Sequence, residues 1–410
     1  MIQKRKLKKL AGVWNMAGAL FAPLFIAALL FAACEQETEG GGAQGGGGDV
    51  QYKPPNPPAN AIRLNSMDAL SKIGSSAGFS LDGDYVLDSD ISLANWTPPG
   101  TASKPFTGSF YGEGHTITIT GGSGGLFGYL KNASVYNVKV TVTASAKNGN
   151  IGGIAAYMEK SLIDYCTATV NLTLAGTGHN ASAGGIVGTM GNYSTVRNCT
   201  ASGTITLNSA ESGGFMVYAG GIAGYSGTPG QAGDGASGCL IEKSGWNGSV
   251  TASGGYPYAG GIVGYNYTGA EVRRCSAAGT VRAAGGNLPY AGGVAGYNAG
   301  YGGRPSLIEN CYSTAAVTAE SSSRVALAGG VAGANAAGAL ISKCYARGAV
   351  TARVAGNGSS NPGGSIGPMI AASAGGIAGA QYVTRTNKPT IKACAALNAS
   401  ITGRDSASGA

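Results

Sequence analysis

The chain has 410 residues, 73 of them glycine, and only 11% of its residues are charged. Residues 1–33 hold five of the 27 Lys and Arg and none of the 19 Asp and Glu, so the remainder carries a net charge of only +3. No basic block is left to neutralise phosphates, which excludes nucleic acid as a partner, and the supply of Val, Ile, Leu and Tyr excludes disorder throughout.

The first ten residues carry Lys4, Arg5, Lys6, Lys8 and Lys9, and an apolar run from Ala17 to Ala33 follows, broken by Gly18 and Pro23. A basic start, an apolar middle and small residues before a cut are the parts of an export signal over 1–33. The run ends Leu30-Phe31-Ala32-Ala33-Cys34, which resembles a bacterial lipobox with Phe31 in place of the usual Leu. That resemblance implies acylation of Cys34, a membrane contact through the acyl anchor, and a place in the cell envelope at the outer membrane. An ordinary secretory signal and an uncleaved anchor are the alternatives. Residues 34–60 read as a tether: Gly40 to Gly48 is nearly all glycine and flexible, and Pro54-Pro55-Asn56-Pro57-Pro58 is semi-rigid.

Folded sequence begins at residue 61. Ile62-Arg63-Leu64 reads as a short strand. Asn65 or Ser66 is placed to N-cap a short helix through Ile73, with Asp68 in its first turn and Leu70 and Ile73 on one face. Such a helix is expected to cap the open end of the first coil over 61–122. Tyr85–Leu87, Asp90–Leu93, Phe106–Phe110 and His115–Ile119 are short, β-branched or aromatic, and bounded by glycine, as strands are.

From residue 123 to 402 one block returns eight times, as in Gly124-Gly125-Leu126-Phe127-Gly128, Gly185-Ile186-Val187-Gly188, Gly261-Ile262-Val263-Gly264-Tyr265 and Gly376-Ile377-Ala378-Gly379. The copies lie roughly 28 to 46 residues apart, the period of a stacked repeat. Each is followed by an aliphatic residue three positions before a Cys, and then by a further β-branched run. The pattern predicts an all-β fold: a right-handed parallel β-helix, a solenoid with one three-strand coil per repeat. Residues 403–410 are left as a disordered tail.

Stacking repeats turns equal positions into columns. Cys166, Cys199, Cys275, Cys311, Cys344 and Cys394 are expected to stack with Ser244 and Val138. Parallel neighbours point their Cβ atoms the same way, which is poor disulfide geometry, so compact buried thiols are the expectation. Cys239 falls outside that column and is the cysteine expected to be reactive. Asn266, Asn298 and Asn335 share one position and are expected to form a hydrogen-bonded ladder.

With these residues in hand, Gly-Gly-Leu-Phe-Gly at 124–128, the returning Gly-Gly-Ile-Val/Ala-Gly blocks and the Cys-x-Ala-x-Gly-x-Val/Ile phrases at 199–205, 275–281 and 344–350 resemble GLUG-motif repeats. The resemblance covers residues 62–402 and implies a scaffold of bacterial surface and secreted proteins, adhesin-like proteins and immunoglobulin A peptidase relatives among them. It does not imply an activity, and His-Glu-x-x-His is missing from the sequence.

A polysaccharide-active enzyme is the rival reading, since such enzymes need paired carboxylates. The acids of the repeats are scattered, and Asp82, Asp84, Asp88 and Asp90 match no calcium-loop spacing. No catalytic residue, metal or cofactor is therefore expected. Tyrosine is the resource that points to contact: Tyr225, Tyr265 and Tyr297 share one repeat position, and Tyr218, Tyr258 and Tyr290 another. These six form the candidate binding face for glycans or extracellular proteins. The leading function is a non-enzymatic, adhesin-like role at the cell surface, with a purely structural spacer as the third reading.

Overall fold

The computed structural model describes residues 52–405, apart from 177–178, 210–213, 228–237, 286, 323–324, 356–371 and 384–386. The export signal, Cys34, most of the tether, parts of the loop insertions and residues 406–410 lie outside the described residues.

The chain enters with strand Ile62–Leu64 and then a single short helix, α1, Met67–Ser71. Ser66 is its N-cap: the Oγ accepts a hydrogen bond from the Ala69 N–H at 3.2 Å. Leu70 is buried in the helix and Ile73 in the turn after it, and α1 packs against strand Ile91–Trp96 at the start of the solenoid. Every other described element is a strand, and every pairing between strands is parallel.

The strands form four sheets, named here in the order the chain first visits them: sheet I with 11 strands, II with 13, III with 8 and IV with 7. A full coil visits IV, III, I and II in turn, as in Tyr256–Gly260, Val263–Tyr267, Glu271–Arg273 and Ser276–Gly285. The solenoid expectation holds, but each full coil crosses four sheets where the sequence reading has three strands. The extra strand is the Ala-Gly stretch before each Gly-Gly pair, such as Ala181–Gly184, which carries too little side chain to read as a strand. The eight repeated blocks are the eight strands of sheet III. At the far end, strand Ile401–Asp405 continues past Thr402, so residues 403–405 belong to the solenoid and not to a tail.

Side chains alternate inward and outward along each strand. In Lys139–Ala146, Val140, Val142 and Ala144 are buried while Lys139, Thr141, Thr143 and Ser145 are exposed. The aliphatic after the Gly-Gly pair, such as Ile186, Ile222 or Ile262, is fully buried in seven of the eight blocks, with Ile377 of the last half-buried, and burying one side chain of this size stabilises the fold by about 1.5–3 kcal/mol.

The corner between sheets IV and III explains why the block is written in glycine. A Cβ on Gly260 would lie 1.9 Å from the Val263 carbonyl oxygen, one on Gly261 2.2 Å from the Gly293 oxygen, and one on Gly264 2.6 Å from the Gly224 oxygen. All three positions are closed to any side chain because backbone fills the space. At two of these corners an indole crowds in beside the backbone: a Cβ on Gly221 would lie 2.2 Å from both the Gly261 oxygen and the Trp246 ring, and one on Gly185 2.1 Å from the Gly221 oxygen and 3.0 Å from that ring.

Candidate functional site

Tyr218, Tyr258 and Tyr290 are register neighbours in sheet IV, and Tyr225, Tyr265 and Tyr297 are register neighbours in sheet III. The residue after each sheet IV tyrosine, Ala219, Ala259 or Ala291, is fully buried in the core, so alternation throws the ring outward. The Gly-Gly corner then brings the two outward columns together.

Within a column the rings are parallel: Tyr258 and Tyr290 lie 4.9 Å apart at 2°, and Tyr265 and Tyr297 5.0 Å apart at 9°. Across the corner they meet edge to face, Tyr258 on Tyr265 at 5.1 Å and 77°, and Tyr290 on Tyr297 at 5.0 Å and 86°. These are favoured aromatic geometries, worth about 0.5–1.5 kcal/mol per pair beyond burial. The patch is an apolar cluster separate from the main core, closed on one side by Val325, Leu327 and Ala334. Above Tyr297 the column continues as Ala334 and Ala380, and Tyr382 from the next column leans in to 6.4 Å from Tyr297.

This packing changes what the six tyrosines can offer. Tyr258 and Tyr290 are each only 6% exposed. The faces on which a sugar ring would stack are covered by neighbouring tyrosines. Burial pushes all six hydroxyls above the ordinary phenol range, so they are neutral at physiological pH. The Tyr218 hydroxyl donates to Met216 Sδ at 2.9 Å. Open aromatic surface lies at the margin, where Tyr301 is 43% exposed and stands 6.0 Å from Tyr267.

The cysteine column forms inside the solenoid. The Cys166 N–H donates to Cys199 Sγ at 3.4 Å, Cys275 N–H to Cys311 Sγ at 3.4 Å, and Cys344 N–H to Cys394 Sγ at 3.4 Å. Ser244 stands in the column, its Oγ accepting from the Cys199 N–H at 3.2 Å. All seven described cysteines are free thiols. Burial pushes Cys199 and Cys311 well above the ordinary thiol range. Cys239 corrects the sequence reading: it is fully buried, its thiol donates to the Gly191 carbonyl at 2.8 Å, and burial pushes it up to about 11. A thiol in that state is inert.

The asparagines also form a ladder. Asn266 Nδ2 donates to Asn298 Oδ1 at 2.8 Å, Asn298 Nδ2 to Asn335 Oδ1 at 2.9 Å, and Asn335 Nδ2 to the Ala339 carbonyl at 3.2 Å. All three are fully buried.

The acids of the repeats, scattered in sequence, form a column missed by the sequence reading. On sheet I the register runs Asp164, Arg197, Glu242, Arg273, Glu309, alternating in sign. Asp164 is fully buried and accepts from Arg197 at 2.9 Å and from Asn198 Nδ2 at 2.9 Å. The signal was available: each of these residues stands two positions before the Cys/Ser column. The N-terminal acids do not converge either. Asp88 pairs with Arg63, while Asp90 accepts from the Thr116 N–H at 2.8 Å, which holds its carboxyl below the ordinary range. Among the described residues no group of three or more His, Cys, Asp or Glu is placed to hold a metal ion.

Comparison with known families assigns the motif. The model of the GLUG motif matches residues 179–206, 255–282 and 287–318. The chain carries GLUG repeats. Each match begins ahead of a sheet IV strand and runs through III and I into II, so one motif is one coil of this solenoid. No curated protein matches the sequence. Among the solved structures similar to it are two described as immunoglobulin A1 proteases. A candidate immunoglobulin A1 protease from Bacteroides ovatus is 17% identical with a TM-score of 0.43, over 82% of this chain and 84% of that one. A chain described as IgA1 protease is 17% identical with a TM-score of 0.45, over 62% of this chain and 19% of that one.

Proposed function

We propose that this GLUG-repeat protein is a lipid-anchored bacterial surface protein that presents its solenoid outward and binds partners without catalysis. The supporting observation is the tyrosine cluster, an aromatic patch built outside the core on two adjoining sheets. Tyrosines held in place by one another form a pre-ordered platform that costs little further conformational entropy on contact, which suits protein or glycan partners. Around the packed centre, Tyr267 and Tyr301 supply the accessible ring surface. Cys34, at the end of the apolar leader and ahead of the Gly/Pro tether, is the anchor of this reading.

The test is an array of glycans and matrix proteins probed with the chain and with a Tyr301→Ser variant, which removes the exposed marginal ring without touching the six column tyrosines. Specific binding that falls in the variant supports the reading. Binding that is unchanged removes this face from it. For the anchor, Cys34→Ala is expected to abolish incorporation of a labelled fatty acid and to release the protein from the membrane fraction.

A further inference from the structure

The outer face of sheet II carries a pattern that the tyrosine reading does not use. Four consecutive strands, Thr116–Gly122, Lys139–Ala146, Thr167–Gly176 and Thr200–Ser209, are in register. Thr118, Thr141, Thr169 and Ser202 form one outward column, and Thr120, Thr143, Asn171 and Thr204 the next. Hydroxyl residues continue on both flanks, at Thr116, Thr167 and Thr200 on one side and Ser145, Thr173 and Thr206 on the other.

Three properties of this face narrow its partner. It repeats in two dimensions, about 4.8 Å from strand to strand and about 6.6 Å from one outward residue to the next along a strand. It is nearly uncharged, Lys139 being the sole charged residue in the four strands. Thr120, Thr141, Thr143, Thr169 and Thr204 are exposed and Thr118 is half-buried, and no side-chain hydrogen bond among the described residues occupies Thr141, Thr143, Thr169 or Thr204. The inward alternates, Val140, Val142, Ala168 and Leu172 among them, are locked in the core, so the grid is rigid.

A rigid neutral grid of hydroxyl and methyl groups gains many contacts at once only from a partner with its own two-dimensional repeat. A flexible chain would lose conformational entropy on being ordered against it, and an ionic partner finds no charge to pair. The two columns hold no aromatic ring of the kind that stacks on sugars. Water in a crystal meets each condition: it is neutral, periodic, and both donates and accepts hydrogen bonds, while the threonine methyls fit between its molecules. We propose that this face of sheet II adsorbs to ice, with an ordered water layer as its ligand. The inference is independent of the anchor and of the tyrosine patch.

The experiment grows a single ice hemisphere slowly in a solution of the fluorescently labelled full chain, and follows recrystallisation of fine-grained ice in parallel. Labelled protein incorporated into the ice, with slowed recrystallisation, is the expected result. Thr141→Lys/Thr143→Lys should be excluded from the ice, Thr143→Val should be weakened without change of shape, and Tyr301→Ser should behave as the parent. The melting temperatures of these variants should match the parent, because the positions are exposed. Exclusion of the parent from ice overturns the proposal, as does incorporation of the Lys variant equal to the parent. Retention on microcrystalline cellulose without any effect on ice overturns it in favour of a polysaccharide solid.

Discussion

The first coils and the last coils of this solenoid stack in the same register but are filled differently. Among the described residues the fully buried aromatic rings, Tyr85, Phe106, Phe110 and Phe127, all lie near the N-terminal end. There the aromatic rings interlock, Phe106 on Phe127 at 4.7 Å and Phe110 on Phe127 at 5.4 Å. Beyond residue 314 the interior is Ala315, Val317, Ala319, Ala326, Ala328, Val331 and Ala332, with Ile341 the bulkiest fully buried aliphatic. The difference follows from the Gly-Gly corner. The earliest coils lack sheet IV and its glycine corner, and it is there that the phenylalanine rings pack. Stability at one end is thus held in side-chain burial, and at the other in backbone and side-chain hydrogen bonds along the columns.

The largest effect expected of that contrast is at Phe110. Phe110→Ala should cost about 3–5 kcal/mol and Ile341→Val about 0.5–1.5 kcal/mol, read as shifts of the urea midpoint at constant slope. Equal shifts would erase the distinction between the two ends. A second test places a methyl at the corner. Gly260→Ala drives a Cβ to 1.9 Å from the Val263 oxygen, and forcing atoms into packed space costs about 1–3 kcal/mol or more. Gly245→Ala, where the nearest atom is the Ser276 hydroxyl at 3.3 Å, should stay within about 0.5 kcal/mol.

The hydrogen-bonded end is tested at Asn298. Asn298→Ala removes a donor and an acceptor between two buried amides, and each orphaned group costs about 1–3 kcal/mol. A variant as stable as the parent would mean that the ladder adds nothing. The mildest perturbation is alkali. Tyr85 is pushed up to about 12 by burial, and the six cluster tyrosines are raised as well. An acid whose folded pKa is raised contributes fully below its unfolded value and loses that contribution as pH rises through the folded one. Stability should therefore be level up to about pH 10, the ordinary tyrosine value, and decline above it. The exposed tyrosines ionise first; ionisation of the six cluster tyrosines together with them, before the β-sheet signal is lost, would contradict the packed arrangement of the cluster.

How much of this was legible depended on whether a residue's meaning lay in its spacing. The repeated glycine blocks, the Cys and Asn columns and α1 with its Ser66 cap are periodic or local features, and the sequence displays them. The sheet IV strands were hidden because Ala-Gly runs lack the bulky β-branched residues by which strands are recognised. Trp246 carried no sign that it would pack over the corner glycines of its own coil and of the preceding one. The tyrosines were visible as columns, but their mutual packing depends on the angle at the corner, which no spacing encodes. The sign alternation on sheet I was present at a fixed offset from the cysteines, yet it emerges only when five distant residues are set in one line.

The corner glycines also constrain how such a chain can change its length. Each sits against a carbonyl of its own or a neighbouring coil, so a splice that cut a coil midway would set side chains against backbone. Gain or loss of a complete coil preserves every contact on both sides of the junction. Lineages of this protein should thus differ by whole repeats, with the reach of the molecule growing in steps of one strand spacing, about 4.8 Å.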